Sequence, residues 1–342
     1  MEERIKEIIA KMVKGEELSR DEARETMDLL MEGKATDAQV ASMLTALRMR
    51  GETPEEIAGF AESMRRHALR IEPRVYPILD TCGTGGDGKH TFNISTAASF
   101  IVAGAGVPVA KHGNRGVSSG CGSADVLEEL GVRIDLPADA VKECIERCGL
   151  GFLFAPNFHP AMRHVMRARK DLGVPTVFNL LGPLANPAGV SHQLLGVGIE
   201  GKAPVMAQAL AEMGVRRALV VCGEDGMDEL STVTPNRVWE VREGEVFDYT
   251  LDASSLGISR SRPEDLRGGD ARENARIIRE EVLAGKPGPR TEVVLLNAAA
   301  ALYAAEAVKD LEEGLAVAEE AVKSGRALSV LEAVVEYGRG VN

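Results

Sequence analysis

From Ile78 onward, short apolar runs alternate with stretches of helical periodicity, and no other feature of this 342-residue chain narrows its fold as far. "ILDTC", "VPVAK", "FLFAP", "QLLGVGI" and "RALVVCG" have the length of strands, and between them lie "ISTAASFIVAGAG", "SADVLEELG", "ADAVKECIERCG" and "APVMAQALAEMG". Such alternation predicts a mostly parallel central sheet flanked by helices on both faces, because parallel neighbours need a crossover and a helix supplies it. Residues 1 to about 70 hold no strand candidate. Ile5, Ile8, Ile9 and Met12 recur at helical spacing. Ser19 with Glu22, Thr36 with Gln39 and Thr53 with Glu56 form capping-box patterns, the last followed by Pro54 at the first helical position. Gly33 and Gly51 stand where helices stop. "IEPRVYP", Ile71 to Pro77, reads as an extended connector, since each proline disfavours helix at the residue before it. The expected fold is α/β, with a small all-helical N-terminal domain and a larger α/β domain. From about Glu292 the chain is helical and alanine-rich, as close helix packing requires.

Hydrophobic residues make up 44% of the chain, enough for a sizeable core, and the net charge is −12. A balance that acidic argues against a nucleic-acid or membrane-surface binder, since phosphate backbones recruit basic faces. It leaves room for small anions held by local donors. Five cysteines, Cys82, Cys121, Cys144, Cys148 and Cys222, form no CxxC pair and suit a reducing compartment. The N-terminus is charged throughout, and no run approaches the roughly 20 apolar residues of a membrane span. A cytoplasmic location is expected.

The chemistry-bearing residues fall in four clusters. "CGTGGDGKHTFNISTA", from Cys82, follows a strand candidate and leads into a helix. Glycine removes the Cβ that keeps a ligand from backbone N–H groups, and a glycine-rich loop before a helix N-terminus makes an anion site. The loop is neither a Walker A sequence nor a good GxGxxG. Asp87 within it would repel a closely held pyrophosphate unless a metal or hydroxyl lay between, which hints at a sugar phosphate. The second cluster, "KHGNRGVSSGCGS", follows the next strand and supplies Lys111, His112, Asn114, Arg115 and serines suited to a polyanion. The third, "GEDGMDELS", offers Asp225, Asp228 and Glu229 at the end of a strand. Magnesium uses one or two carboxylates together with waters and substrate phosphates. The fourth, "HPAMRHVMRARKDLG", is a basic helical stretch from which one arginine can clamp a carboxylate bidentately. Taken alone, each also reads as a plain turn, a polar loop or a solvated face.

Together these pieces resemble the anthranilate phosphoribosyltransferase family. "GTGGDG", "TFNISTA", "KHGNR", "SSGCGSADVLEELG", "HPAMRH", "FNLLGPLANP", "DGMDELS" and "GKPGPRTEVVLLNAAAALY" occur in family order over nearly the whole chain. The resemblance implies a helical domain over residues 1–72 with a returning segment near 163–187, and an α/β phosphoribosyl-binding domain over 76–162 and 188–342. It implies a homodimer joined through the helical domains, the substrates anthranilate and phosphoribosyl pyrophosphate (PRPP), and Mg²⁺. By that resemblance Gly83, Gly86, Asp87, Thr91, Asn93, Ile94, Ser95, Thr96, Lys111, His112, Gly113, Asn114, Arg115, Gly116, Val117, Ser118, Ser119 and Ser123 hold PRPP. Gly83, Asn114 and Arg169 hold anthranilate, with Arg169 on its carboxylate. Ser95, Asp228 and Glu229 hold the metal, and His112, Arg169 and Asn114 are the catalytic candidates. The implied reaction displaces pyrophosphate from carbon 1 of the ribose by the anthranilate amine. It needs charge stabilisation on the leaving group and alignment of two reactants rather than a covalent nucleophile.

The chain departs from the family pattern at Cys222, Pro175, Gly120 and Cys121, none of them a predicted ligand. Two other readings remain. A pyrimidine nucleoside phosphorylase shares the architecture, but phosphorolysis has no pyrophosphate–magnesium group to hold. A binding module derived from the enzyme would show a basic groove and erosion at Asn114, Arg169 or Asp228–Glu229.

Overall fold

The computed structural model describes residues 2–116 and 120–341. Four helices come first: α1 (Glu2–Val13), α2 (Arg20–Met31), α3 (Asp37–Arg50) and α4 (Pro54–Arg66). All three capping boxes form, with Ser19, Thr36 and Thr53 accepting from the third backbone N–H and the residues there reaching back. Ile5, Ile8 and Met12 are buried, as their spacing predicts.

The chain then enters β1 (Leu79–Gly83), α5 (Ile94–Gly104), β2 (Val109–Gly113), α6 (Ser123–Glu129), α7 (Ala138–Cys148) and β3 (Leu150–Phe154). Three helices, α8 (Ala155–Phe158), α9 (Arg163–Leu172) and α10 (Phe178–Leu184), leave the sheet and return. Of these α9 packs on α2 and α3, and α10 packs on α4. The rest comprises β4 (His192–Gly196), α11 (Ala203–Glu212), β5 (Arg217–Gly223), β6 (Asn236–Arg242), β7 (Glu245–Leu251), α12 (Ala271–Ile277), α13 (Pro289–Ala304), α14 (Leu311–Lys323) and α15 (Arg326–Gly340).

The seven strands form one sheet in the order β3-β2-β1-β4-β5-β6-β7. The first five are parallel, while β6 and β7 form an antiparallel hairpin at one edge. Its turn is Glu243-Gly244, both at positive φ (53° and 82°), the two-residue geometry that matches strand twist. Alternation along the strands divides the core. Leu194, Leu219 and Val221 face α5, α13, α14 and α15, whereas Leu195, Val220 and Ala218 face α11 and the N-terminal helices. One apolar cluster runs unbroken from α1 through α4, α9 and α10 to α11 and the sheet. Alanines let α13 lie deep, in contact with α5 and α14, which is the close packing expected of "NAAAALYAA". The order reverses at β1, whose neighbours β2 and β4 lead in opposite directions, and the crevice outside the carboxyl ends of such strands is where open α/β sheets bind ligands.

Candidate active site

The glycine loop leaves β1 at that reversal, and the acidic loop leaves β5 and folds over it. Two glycines make this approach possible. A Cβ on Gly83 would lie 2.5 Å from Asp228 Oδ2, and one on Gly196, at the end of β4, would collide with the Asp228 carbonyl. Gly85, Gly86 and Gly88 take positive φ (65°, 77° and 69°), conformations that side chains resist. The Gly85 N–H donates to Asp228 Oδ2 at 2.7 Å, and the Asp228 N–H lies 3.4 Å from Asp87 Oδ2. Gly198 N–H donates to Thr84 Oγ1 at 3.1 Å and ties the segment after β4 into the same assembly.

Glu229 reaches the start of α5, where its Oε1 accepts from the Ser95 N–H at 2.9 Å. Its Oε2 is buried with no partner. Burial raises the pKa of both acids: Asp228 is pushed up to about 7, with Asp87 adding repulsion, and Glu229 lies well above the carboxylate range, with Asp228 and Asp87 adding repulsion. Two adjacent, half-buried carboxylates, one with a buried and unpartnered oxygen, form a donor set suited to a cation. Lys111 is the nearest positive charge. It is buried beneath the loop, with Nζ donating to the Thr81 carbonyl and lying 3.4 Å from Ser95 Oγ, and burial lowers its pKa. Among the described residues no three His, Cys, Asp or Glu side chains converge as a ready-made metal cage. Magnesium fits all the same, since it needs only one or two carboxylates beside water and phosphate oxygens.

Asn93 stands at the start of α5 with Nδ2 donating to the Cys121 carbonyl (3.2 Å) and Oδ1 accepting from Asn274 (3.0 Å). Thr91 lines a hollow of about 220 Å³ with Cys121, Arg267 and Asn274. Ile94 is wholly buried, and its N–H bonds to the Phe92 carbonyl, so its side chain belongs to the core. Thr96 is buried with Oγ1 unpartnered.

The second loop is held by Asp125, whose Oδ2 accepts from the N–H groups of Gly116 (2.9 Å) and Gly122 (2.8 Å). Asn114 is exposed, and its carbonyl accepts from Ser123 Oγ at 3.3 Å. A Cβ on Gly113 would strike Ser123 Oγ. Arg115 turns to Asp125 and Glu128 and leans on the Phe154 ring. Val117, Ser118 and Ser119 lie outside the described residues.

His112 and Arg169 are placed against one seven-residue helix, α10. His112 Nδ1 lies 3.0 Å from the Gly182 carbonyl, and a carbonyl only accepts, so the ring proton sits on Nδ1 and the Nε2 lone pair is free. That Nε2 is buried with no partner, and the His159 ring stands 5.1 Å away, its own Nε2 also unpartnered. Burial holds both imidazoles neutral, His112 down at about 3 and His159 at about 4. One turn earlier on α10, Phe178 carries the Arg169 guanidinium 4.8 Å above its ring centroid. Arg169 is half-buried, has no acidic partner among the described residues, and burial lowers its pKa. Arg163 is exposed, and Arg167 is occupied by Asp37 and Asp171.

Four supporting residues escaped the sequence reading. Asp80 is fully buried in β1, accepting from the His112 N–H (3.2 Å) and from Asn186 Nδ2 (2.8 Å). Asn186 also binds the Ala110 carbonyl (2.8 Å) and so joins β1 to β2 behind the loops. Asn297 on α13 brackets Leu230, with its Oδ1 accepting from the N–H (3.0 Å) and its Nδ2 donating to the carbonyl (2.9 Å), and thereby fixes the acidic loop. His159 is the fourth. A carboxylate inside the apolar run "ILDTC" was the one visible signal for Asp80.

Comparison with known proteins agrees with this geometry. A glycosyl transferase family helical bundle domain matches residues 6–68, and a glycosyl transferase family a/b domain matches residues 75–328. An anthranilate phosphoribosyltransferase of Acetivibrio thermocellus is 53% identical over 333 residues, 97% of this chain and 96% of the relative. That of Thermomicrobium roseum is 55% identical over 95% of this chain and 94% of its own length. The crystal structure of the Thermus thermophilus anthranilate phosphoribosyltransferase superposes with a TM-score of 0.92 at 47% identity, covering 97% and 99% of the two chains. The Saccharomyces cerevisiae enzyme, solved in complex with PRPP and Mg, gives 0.90 at 31% identity and covers 100% and 99%. With two matching domains, relatives matched over nearly their full length and a shared fold, the chain belongs to the anthranilate phosphoribosyltransferase family.

Proposed function

We propose that this protein transfers the phosphoribosyl group of PRPP to the amine of anthranilate, giving N-(5-phosphoribosyl)anthranilate and pyrophosphate, the second step of tryptophan biosynthesis from chorismate. The observation that carries the reading is the half-buried Asp228–Glu229 pair, with the buried and unpartnered Oε2 of Glu229, folded directly onto a glycine loop at the sheet's switch point. Phosphorolysis by inorganic phosphate has no use for such a pair.

PRPP lies along the glycine loop, the start of α5 and the loop from Lys111 to Ser123. Asp228 and Glu229, with Ser95 Oγ beside them, hold Mg²⁺. When bound, that ion neutralises charge building on the departing pyrophosphate. Lys111 supplies a fixed positive charge from beneath, and the backbone N–H groups of the loop require no reorientation as charge develops. Arg169 pairs with the anthranilate carboxylate, pre-aimed by its stack on Phe178. Gly83 and Asn114 border the same acceptor. The free lone pair on the buried, unpartnered His112 Nε2 can orient the amine or take its proton.

The helical unit comprises residues 1–72 and about 163–187, supported by the packing of α9 and α10 on α2, α3 and α4. The protein acts as a homodimer through these helices and resides in the cytoplasm, where its five free cysteines would stay reduced; among the described residues no helix is long and apolar enough to cross a membrane. The test is the loss of anthranilate fluorescence on adding PRPP, with and without Mg²⁺, alongside pyrophosphate release. Metal-dependent loss with matching pyrophosphate is expected. Folded protein that consumes no anthranilate, or that instead cleaves thymidine or uridine with phosphate, overturns the assignment.

A further inference from the structure

A cavity of about 390 Å³ lies on the far side of the Asp80–Asn186 connection, lined by Arg24, Glu62, Arg65, Arg66, Arg70 and the Asn186–Gly189 turn. Four arginines face one glutamate in a protein whose net charge is −12. The acids within reach are already engaged. Glu62 is bound by Arg20, with Arg24 at 3.9 Å, and Asp80 is bound by Asn186 and the His112 N–H. Arg66 pairs with Asp28 at 2.6 Å, and Arg24 with Asp21 at 2.6 Å. Arg65 and Arg70 have no acidic partner among the described residues.

Arg65 is the informative one. Its Nε donates to the Leu184 carbonyl at 2.7 Å, but its Nη2 is shut away from solvent with no acceptor. Burial drags its pKa down to about 10, against the pull of Glu62 and Asp80, whose carboxylates are engaged by other donors. A desolvated guanidinium is costly unless its fork is filled, and the group that fills it best is a planar or tetrahedral oxyanion. The cavity that Arg65 lines matches a small ligand in size. We infer that this cavity binds a small molecule bearing a phosphate or carboxylate group, held by Arg65 and Arg70 with Arg24 at the rim.

The site stands where both chain crossings between the helices and the sheet meet, with the Ile71 N–H bonded to the Pro187 carbonyl at 3.2 Å. It shares no residue with the glycine or acidic loops, and Asn186 links it to the strands that carry them through Asp80 and the Ala110 carbonyl.

Two measurements on the whole protein test the inference. Crystals soaked in selenate should show an anomalous peak within hydrogen-bond distance of the Arg65 and Arg70 guanidinium groups, and that peak should vanish in Arg70→Gln. In solution, inorganic phosphate and succinate are titrated separately against the thermal midpoint, and the one with the lower half-saturating concentration identifies the head group. Arg24→Gln with Arg70→Gln, both at partly exposed positions, should raise that concentration by about tenfold, the loss of one charged hydrogen bond. Peaks confined to the glycine loop, or midpoints that the double variant leaves unchanged, refute the site. A peak in the cavity without any solution shift means an adventitious ion only and refutes it equally.

Discussion

Replacing Gly198 by alanine drives a wedge between the two halves of the candidate site. The added Cβ would stand 2.7 Å from Asp87 Cβ and 3.1 Å from Asp228 Cβ. Ordinary contact begins at 3.4 Å, so the shortfall on the Asp87 side is about 0.7 Å and on the Asp228 side about 0.3 Å. Neither neighbour is the free end of a long side chain, so the loops themselves must part. Overpacking of this kind costs about 1–3 kcal/mol, which lowers the thermal midpoint by a few degrees in a protein of this size. The functional loss should exceed the structural one, because sub-ångström displacement of aligned groups lowers rates on the order of tenfold to a hundredfold. Gly198→Ala should therefore reduce kcat and raise the Mg²⁺ concentration for half-maximal rate, with PRPP affinity falling in step. Gly340→Ala is the control. It lies in helix α15 with nothing within 4 Å, and it should leave activity intact. Steady-state rates across a magnesium titration decide the matter. If Gly198→Ala keeps its kcat and its magnesium requirement, Asp87 and Asp228 do not act as one clamp.

Arg169→Ala should chiefly raise the KM for anthranilate, since it removes a guanidinium that has no acidic partner among the described residues. An unchanged KM would move the carboxylate clamp to another residue, Arg163 first. Asp228→Asn combined with Glu229→Gln should abolish magnesium-dependent PRPP use while leaving the metal-free protein as stable or more stable, because it relieves repulsion between half-buried acids. A large fall in unfolding free energy would contradict that. The neutral imidazoles give a pH prediction. His112 and His159 titrate below their unfolded value of about 6.5, so the unfolded chain takes up their protons first. Stability should fall as pH drops from about 6.5 towards 4, by up to about 1.4 kcal/mol per pH unit for each ring, and His159→Gln should flatten part of that slope in urea titrations.

The glycine loop, the basic loop and the acidic loop were legible because each is a local signal: bare backbone or clustered charge at the end of an apolar run. The capping boxes were legible for the same reason, since both partners lie within one helical turn. The partners that hold these loops in place were not. Asn186 meets Asp80 across 106 positions, and Asn297 meets Leu230 across 67, pairings that only the folded sheet creates. Arg115 shows the complementary limit. As a sequence feature it is a cation in an anion-binding loop, yet Asp125 and Glu128 on the following helix engage it. The β6–β7 hairpin gave no signal because its outer strand alternates in exposure with charged residues, and its turn is Glu-Gly rather than Asn-Gly.

The unbroken apolar cluster that joins α1–α4 to α11 and the sheet governs how this molecule moves. Two lobes connected only by linkers swing open like a door, but lobes that share a greasy seam cannot part without wetting it. Any opening that admits anthranilate must therefore be a glide of helix along helix, with Leu195, Val220 and Met206 staying dry beneath. Shortening or breaking the first four helices would expose that face of the sheet as well, so the catalytic half is not a fragment that stands by itself. The part of the chain outside the glycine and acidic loops is thus the part that keeps one face of their sheet dry.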